Sequence, residues 1–312
     1  MPDSMIRIEG FTQRFGKFEA VKHLDLELGE GEIFGFIGPN GAGKTTTIRM
    51  LATLLVPSEG DAFIDGHSVM GQPAEVRRLV GYMPDIFGVY ASVRVWEYLD
   101  FFARAFKIRA HVRKKVIDDV LEITDLVAKR DALVEELSKG MRQRLCLAKT
   151  LVHDPQVLLL DEPAAGLDPR ARIEIRALLK ELGRMGKTIF ISSHILTELS
   201  DLCTSIGVIE KGEMIVSGDM ETMTAKIGAS RSVELRVMDT ELVLALLSQD
   251  RRVTNIDKEN DEKVAFDFAG DREDLCELVS TMVRRGVKLY GLVESKSGLE
   301  DVFMEVTKGI VT

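Results

Sequence analysis

Between Gly38 and Thr45 the chain reads GPNGAGKT, a run of glycines leading into a lysine and a threonine. Backbone N–H groups of such a loop can converge on a phosphate chain, because only glycine tolerates the dihedrals that close approach demands. Lys44 would add a point charge for the outer phosphates, and the Thr45 hydroxyl is a ligand suited to Mg²⁺. The plain alternative is a glycine-rich turn beside a surface lysine. Against it stand the apolar run before the loop and the helix-compatible run after it. A second acidic element, VLLLDEP at 157–163, delivers Asp161 and Glu162 to the end of a continuous apolar stretch. Open α/β sheets bind ligands at that end of their strands. Asp161 is suited to the shell of a Mg²⁺ ion, and Glu162 to polarising a water beside the terminal phosphate. Alone, the pair would read as two acids in a turn; with the loop upstream, it reads as the other half of one site.

These residues need strands to end on. Residues 32–37 predict a short apolar strand, with the glycine loop and then a helix ending near Pro57. The opening segment, with Leu24, Leu26 and Leu28 at period two, predicts antiparallel strand, and 61–70 predicts another strand. From about Ser92 helical spacing sets Val95, Leu99, Phe102 and Phe106 on one face, and Val116, Val120 and Ile123 on a second. The run at 157–160, bounded by Pro155 and Asp161, suits a strand buried on both faces of a parallel sheet. TIFISS at 188–193 is its expected neighbour, with a helix from about Pro169 between them. After Gly218 the order of candidate elements is β-α-β-β-α-β, that of a ferredoxin-like split unit, and Ser297 with Glu300 forms a candidate capping box for a last helix.

The chain has 312 residues, 45% hydrophobic and 29% charged, which excludes collagen, low-complexity and disulfide-scaffold classes. Its net charge of −9 lacks the basic excess that drives non-specific binding to phosphate backbones, so no nucleic-acid partner is expected. Cys146, Cys203 and Cys276 are widely separated and match no zinc spacing. The opening MPDSMIRIEG shows no secretory signal, and no run of about 18 apolar residues predicts a spanning helix, so any membrane link is expected through another subunit.

Between the glycine loop and the acidic strand lies LSKGMRQRLCLA from Leu137; beyond them come GLDP from Gly166 and SSH ending at His194. This ordered set resembles the ATP-binding cassette family, over the chain from about Ile6 to Gly218. The resemblance implies an α/β fold, a P-loop NTPase cassette with a RecA-like core, an antiparallel β subdomain and a helical subdomain at about 88–150. It implies ATP and Mg²⁺ as ligands, with ATP held by Phe15, Gly38, Asn40, Gly41, Ala42, Gly43, Lys44, Thr45 and Thr46. Phe15 stands where the family has the aromatic that stacks on adenine, although a lone Phe at a strand end is also an ordinary core residue. Catalysis would rest on Glu162, His194 and Lys44, with His194 in the place of the histidine that bonds the γ-phosphate. In the head-to-tail homodimer that the family implies, Ser138, Gly140 and Asp168 act in trans on the partner's nucleotide.

Two departures from the family pattern stand out. Lys139 and Met141 replace the first glycine and the glutamine of the signature, and Asp85 occupies the place of a glutamine that meets Mg²⁺. The resemblance thus implies a metal set of Thr45, Asp161 and Asp85, with a solvated loop aspartate as the plain alternative for Asp85. The family's groove for a coupling helix falls near Trp96, Tyr98, Phe101, Phe102 and Phe106; most of these are expected in the core, one or two exposed until a membrane subunit docks.

The segment 219–312, closing with GLEDVFMEVTKG, resembles the small α+β tail of ABC-2 exporter ATPases. The expectation is a cassette at 1–218 and an accessory domain at 219–312, energising integral-membrane permease subunits from the cytoplasmic face of the cell membrane. The rivals are a soluble non-transport cassette ATPase and a low-turnover nucleotide-binding scaffold. No sustained heptads separate Lys44 from Ser138 and only one cassette is present, which argues against the chromosome-maintenance and translation classes.

Overall fold

The computed structural model describes residues 4–85, 88, 92–195, 199, 201–219 and 231–296, which divide into two compact units at Gly218 and Asp219. In the first, strands β1 (Ile6–Phe15) and β2 (Phe18–Leu28) form an antiparallel hairpin whose alternate residues are buried. Strand β3 (Ile33–Ile37), buried along its length, runs into the glycine loop and helix α1 (Lys44–Leu51). Helix α1 stops at Leu51, short of the expected end near Pro57, because Thr53 has a φ of 59° that no helix continues. The strand expected over 61–70 is two, β4 (Glu59–Ile64) and β5 (His67–Ser68), since Asp65 and Gly66 both take positive φ and fold the chain back. These four strands make one sheet, in the order β2-β1-β4-β5.

After helix α2 (Pro73–Leu79) and strand β6 (Val80–Met83) come helices α3 (Val95–Ala105), α4 (Ala110–Ile123) and α5 (Lys139–Leu151). Helix α4 buries Ile117, Val120 and Leu121, a face rotated from the expected Val116, Val120 and Ile123; the outer two are only half-buried. Its neighbours α3 and α5 decide the face, and apolar spacing alone allowed either.

Strand β7 (Val157–Asp161), helix α6 (Pro169–Arg184) and strands β8 (Thr188–Ser193), β9 (Ser205–Glu210) and β10 (Glu213–Asp219) complete a second sheet, ordered β10-β9-β3-β8-β7-β6. From β9 to β6 its strands are parallel. Phe34, Phe36 and Phe190 pack ring to ring at 5.2–6.3 Å in the core between the sheets. Each buried ring contributes about 1.5–3 kcal/mol, which clamps β3 to β8 beneath the loops they carry.

The second unit has its own core. Strands β11 (Arg231–Val237), β12 (Val253–Asn260), β13 (Lys263–Phe268) and β14 (Leu289–Lys296) form an antiparallel sheet ordered β12-β13-β11-β14, with helices at Thr240–Leu247 and Arg272–Arg284. Val233, Leu235, Phe266 and Phe268 meet Val243, Leu247, Leu275 and Met282 in one buried cluster. Strands β12 and β13 are joined by a short turn after Asn260. The Ser297 and Glu300 capping box and the last helix lie outside the described residues.

Candidate functional site

The register of the parallel sheet assembles the first cavity. Strand β8 lies between β3 and β7 and pairs Ile37 with Ser193 and Asp161 with Ser192, so the ends of all three strands open on one side. There a cavity of about 440 Å³ is lined by Phe15, Asn40, Gly41, Gly43, Lys44, Thr45, Thr46, Asp85, Glu162 and His194. Of the remaining loop residues, Ala42 is buried, and the Gly38 amide donates to Ser193 O at 3.4 Å. Gly43 has a φ of 110°, and a Cβ there would sit 2.6 Å from Ala20 O, so only glycine fits.

Lys44 is 6% exposed and donates to Gly38 O at 2.7 Å and Pro39 O at 3.2 Å, with its Nζ 3.4 Å from Glu162 Oε1. The other Glu162 oxygen accepts from His194 Nδ1 at 2.8 Å. The Glu162 backbone has a φ of 50°, a strained state for a non-glycine residue, and its amide donates to Ser192 Oγ at 3.0 Å. Ser192 Oγ in turn donates to Asp161 Oδ1 at 2.8 Å, and Thr45 Oγ1 to the same oxygen at 3.1 Å.

Burial pushes the Asp161 carboxyl up from its ordinary value. Asp85 and Glu162 push the same way by charge repulsion, while the Ser192 and Thr45 hydroxyls oppose it. Asp85 and Glu162 line the cavity and Asp161 lies buried beside it, bonded to the Thr45 hydroxyl, so negative charge gathers where a hard cation would relieve it. Among the described residues no group of three or more His, Cys, Asp or Glu is arranged to hold a metal ion. The donors present are the Thr45 hydroxyl and the Asp161 carboxylate it bonds, and Mg²⁺ takes one or two carboxylates and completes its shell with phosphate oxygens and water.

A second cavity, of about 540 Å³, holds Ser138, Lys139, Gly140 and Asp168. Ser138 caps α5 by accepting from Met141 N at 3.3 Å, and Asp168 caps α6 by accepting from Ala171 N at 2.9 Å. The candidate residues of one chain are therefore brought together as two sets, phosphate loop with carboxylates in one cavity and signature with GLDP in the other.

Three contributors, Phe18, Ser192 and Gln143, escaped the sequence reasoning, and a fourth, Lys139, entered it only as a departure from the signature. Phe18 stands beside Phe15 across the hairpin turn, at 64% and 52% exposure, and both rings line the first cavity. Phe15 is thus no core residue. Ser192 joins Asp161 to Glu162; its place opposite Asp161 in the β7–β8 register was the available signal. Gln143 Nε2 donates to Pro163 O at 2.6 Å and Lys139 Nζ to Gly166 O at 2.9 Å, so helix α5 grips the loop after Glu162 twice. Of the aromatic stretch, Tyr98 is buried and Phe101 and Phe106 are exposed; Phe102 and Phe106 border a cavity of about 230 Å³ with Tyr82, Lys149 and His153.

A family model described as "ABC transporter" matches residues 21–165. The chain is 33% identical over 308 residues to the bacitracin transport ATP-binding protein BcrA of Bacillus licheniformis, covering 98% of both chains. It is 35% identical over 307 residues to the Nod factor export ATP-binding protein I of Ralstonia nicotianae, covering 97% of this chain and 94% of the relative. It is 32% identical over 310 residues to the daunorubicin resistance ATP-binding protein DrrA3 of Streptomyces coeruleorubidus, covering 98% and 97%. Among solved structures it is similar to cbiO1 from Clostridium perfringens, part of the ABC transporter complex cbiONQ, with a TM-score of 0.65 and 28% identity over 72% of this chain and 92% of that one. A dimeric structure of the bacterial ABC transporter cassette MJ0796 matches with a TM-score of 0.62 and 26% identity, over 69% and 99%.

Proposed function

The chain belongs to the ABC transporter family as an ATP-binding, ATP-hydrolysing subunit, and on that premise we propose that it powers an exporter as a head-to-tail homodimer closing on two Mg·ATP. The observation that carries this reading is the position of Glu162, between Lys44 at 3.4 Å and His194 at 2.8 Å in the cavity of the phosphate loop. A carboxylate held there can take a proton from a water attacking the terminal phosphate. Lys44, pre-positioned by two loop carbonyls, exchanges them for phosphate oxygens. Phe15 and Phe18 offer two exposed rings for the base. Thr45, Asp161 and Asp85 would hold Mg²⁺, which neutralises charge on the phosphates when bound.

His194 adds a constraint. A neutral ring that donates from Nδ1 to Glu162 keeps only an acceptor at Nε2. To donate to a γ-phosphate, His194 must either carry a second proton or release Glu162. Release frees the carboxylate at the moment phosphate arrives, which couples recognition to activation of the base.

Each cavity holds half of a composite site, and two antiparallel copies supply both halves. Relatives named for bacitracin transport, Nod factor export and daunorubicin resistance align over nearly the whole chain, tail included, which supports export. No helix among the described residues is long and apolar enough to cross a membrane. Paired permease chains would provide the path and hold this subunit at the inner face of the membrane. The half-exposed rings beside His153 are the surface offered to them.

The test is Glu162→Gln. Hydrolysis is expected to fall roughly 10²–10⁴-fold with ATP affinity retained, and the dimer to accumulate in sizing chromatography with Mg·ATP. A variant that fails to hydrolyse yet stays monomeric overturns the composite site.

A further inference from the structure

The end of the α3–α4 hairpin carries a charge pattern that neither the nucleotide site nor helix stability explains. From Phe101 to Ile117 there are six Lys or Arg residues and no Asp or Glu, in a chain of net charge −9. Two of the six share one carboxylate, since Arg104 and Arg113 both pair with Asp100, at 2.6 and 2.8 Å. Lys107, Arg109, Lys114 and Lys115 are exposed, and among the described residues no carboxylate pairs with them. Helix α4 is charged against its own dipole. Arg113, Lys114 and Lys115 crowd its N-terminal half, which has no acid in the first turn, while Asp118, Asp119 and Glu122 fill the C-terminal half, which has no base in the last. A helix prefers the reverse at both ends. The arrangement therefore costs helix stability to gather positive charge at the hairpin tip. Apolar side chains are interleaved with it: Phe101 is 54% exposed, Val112 37% and Phe106 41%, the last with one face stacked on His153.

We propose that this hairpin end docks on the anionic headgroup surface of a lipid bilayer, its basic side chains on lipid phosphates and Phe101 and Val112 among the upper acyl carbons. Clustered Lys and Arg mixed with exposed aromatic and aliphatic groups is the composition of interfacial membrane contacts. A bilayer surface also fits the composition better than a nucleic acid does: acyl carbons take up the exposed Phe101 and Val112 beside the basic cluster, which a phosphodiester backbone does not. The contact goes beyond the ATPase reading and does not rest on it.

Cosedimentation of the full-length protein with vesicles tests this. Phosphatidylcholine vesicles containing phosphatidylglycerol are expected to bind it at low salt and to release it as salt rises; phosphatidylcholine alone is expected not to. Combining Lys107→Glu, Arg109→Glu, Lys114→Glu and Lys115→Glu should weaken binding to the anionic vesicles roughly 10²–10³-fold, leave ATPase activity unchanged and, by relieving the clash with the helix dipole, hold or raise Tm. Phe101→Ser should weaken binding without altering its salt dependence. Equal vesicle binding by the charge-reversed protein, no binding of wild type to anionic vesicles, or displacement of the vesicles by a single-stranded oligonucleotide each overturns the proposal.

Discussion

The ammonium of Lys139 donates to the carbonyl of Gly166 across 2.9 Å, which ties the first turn of α5 to the loop between Glu162 and Asp168. Gly166 has a φ of 65°, and a Cβ there would stand 2.3 Å from the lysine nitrogen, so the grip also needs the glycine. A lysine in place of the signature glycine thus has a partner inside its own chain. Lys139→Ala is expected to leave nucleotide binding at the phosphate loop unchanged and to slow turnover roughly two- to tenfold, the worth of one net hydrogen bond. Lys139→Arg, which keeps a donor, should recover most of the rate. Phosphate release with a parallel nucleotide titration decides it; equal rates for wild type and Lys139→Ala would refute the role.

Asp85 lines the first cavity with Glu162, and its charge helps push the Asp161 carboxyl up. An anionic oxygen is a stronger hard ligand for Mg²⁺ than an amide carbonyl. Asp85→Asn should therefore raise the Mg²⁺ concentration needed for half-maximal ATPase activity, and Asp85→Gln should turn over with a different metal optimum. Superimposable metal titrations for the three proteins would remove Asp85 from the metal's surroundings.

His153 stacks on Phe106 at 3.8 Å and bonds Val80 O through Nε2 at 3.0 Å, and burial holds its pKa below the ordinary 6.5. The fold favours the neutral ring, so the unfolded chain takes up the proton first as pH falls. The resulting stability is complete above about pH 6.5 and is lost progressively below it. Thermal melts between pH 7.5 and 5.5 should show a shallower decline for His153→Gln, whose amide can still reach Val80 O. An unchanged slope would show that His153 adds nothing to acid sensitivity.

The tail's buried cluster around Val233, Phe266 and Leu275 is built entirely from residues beyond Gly218. A chain ending at Gly218 is therefore expected to fold and to bind ATP with the affinity of the full protein. Insolubility of the shortened chain, where full-length protein is stable, would place the boundary elsewhere.

What could be read in advance depended on how local its cause was. The glycine loop and the Asp161 strand were legible because each carries its own reason within a few residues: dihedrals only glycine tolerates, and an apolar run bounded by Pro155 and Asp161. The face of α4 was not, because Val116 and Ile117 are equally apolar and only packing against α3 and α5 selects Ile117. Ser192 was silent for a related reason. Its hydroxyl joins Asp161 to Glu162 only through a β7–β8 register between segments about thirty residues apart. The turn at Asp65 and Gly66 was missed although glycine after aspartate is a local breaker, since the apolar residues around it kept a strand-like pattern.

The order β3-β8-β7 has a consequence for the chain as it is synthesised. Strand β8 sits between the strand that ends in the glycine loop and the strand that ends in Asp161, yet it is the last of the three to leave the ribosome. Until residue 193 has emerged, β3 and β7 have no common partner, and each presents an unpaired edge of fully buried residue types to its surroundings. At 5–20 residues per second, the stretch after Glu162 takes about two to six seconds to supply that strand. During that interval the nascent chain holds both halves of a phosphate site and cannot close them. Ribosome-bound chains stalled just before and just after β8 emerges should therefore differ sharply in capture by a holdase chaperone, the shorter being retained and the longer released.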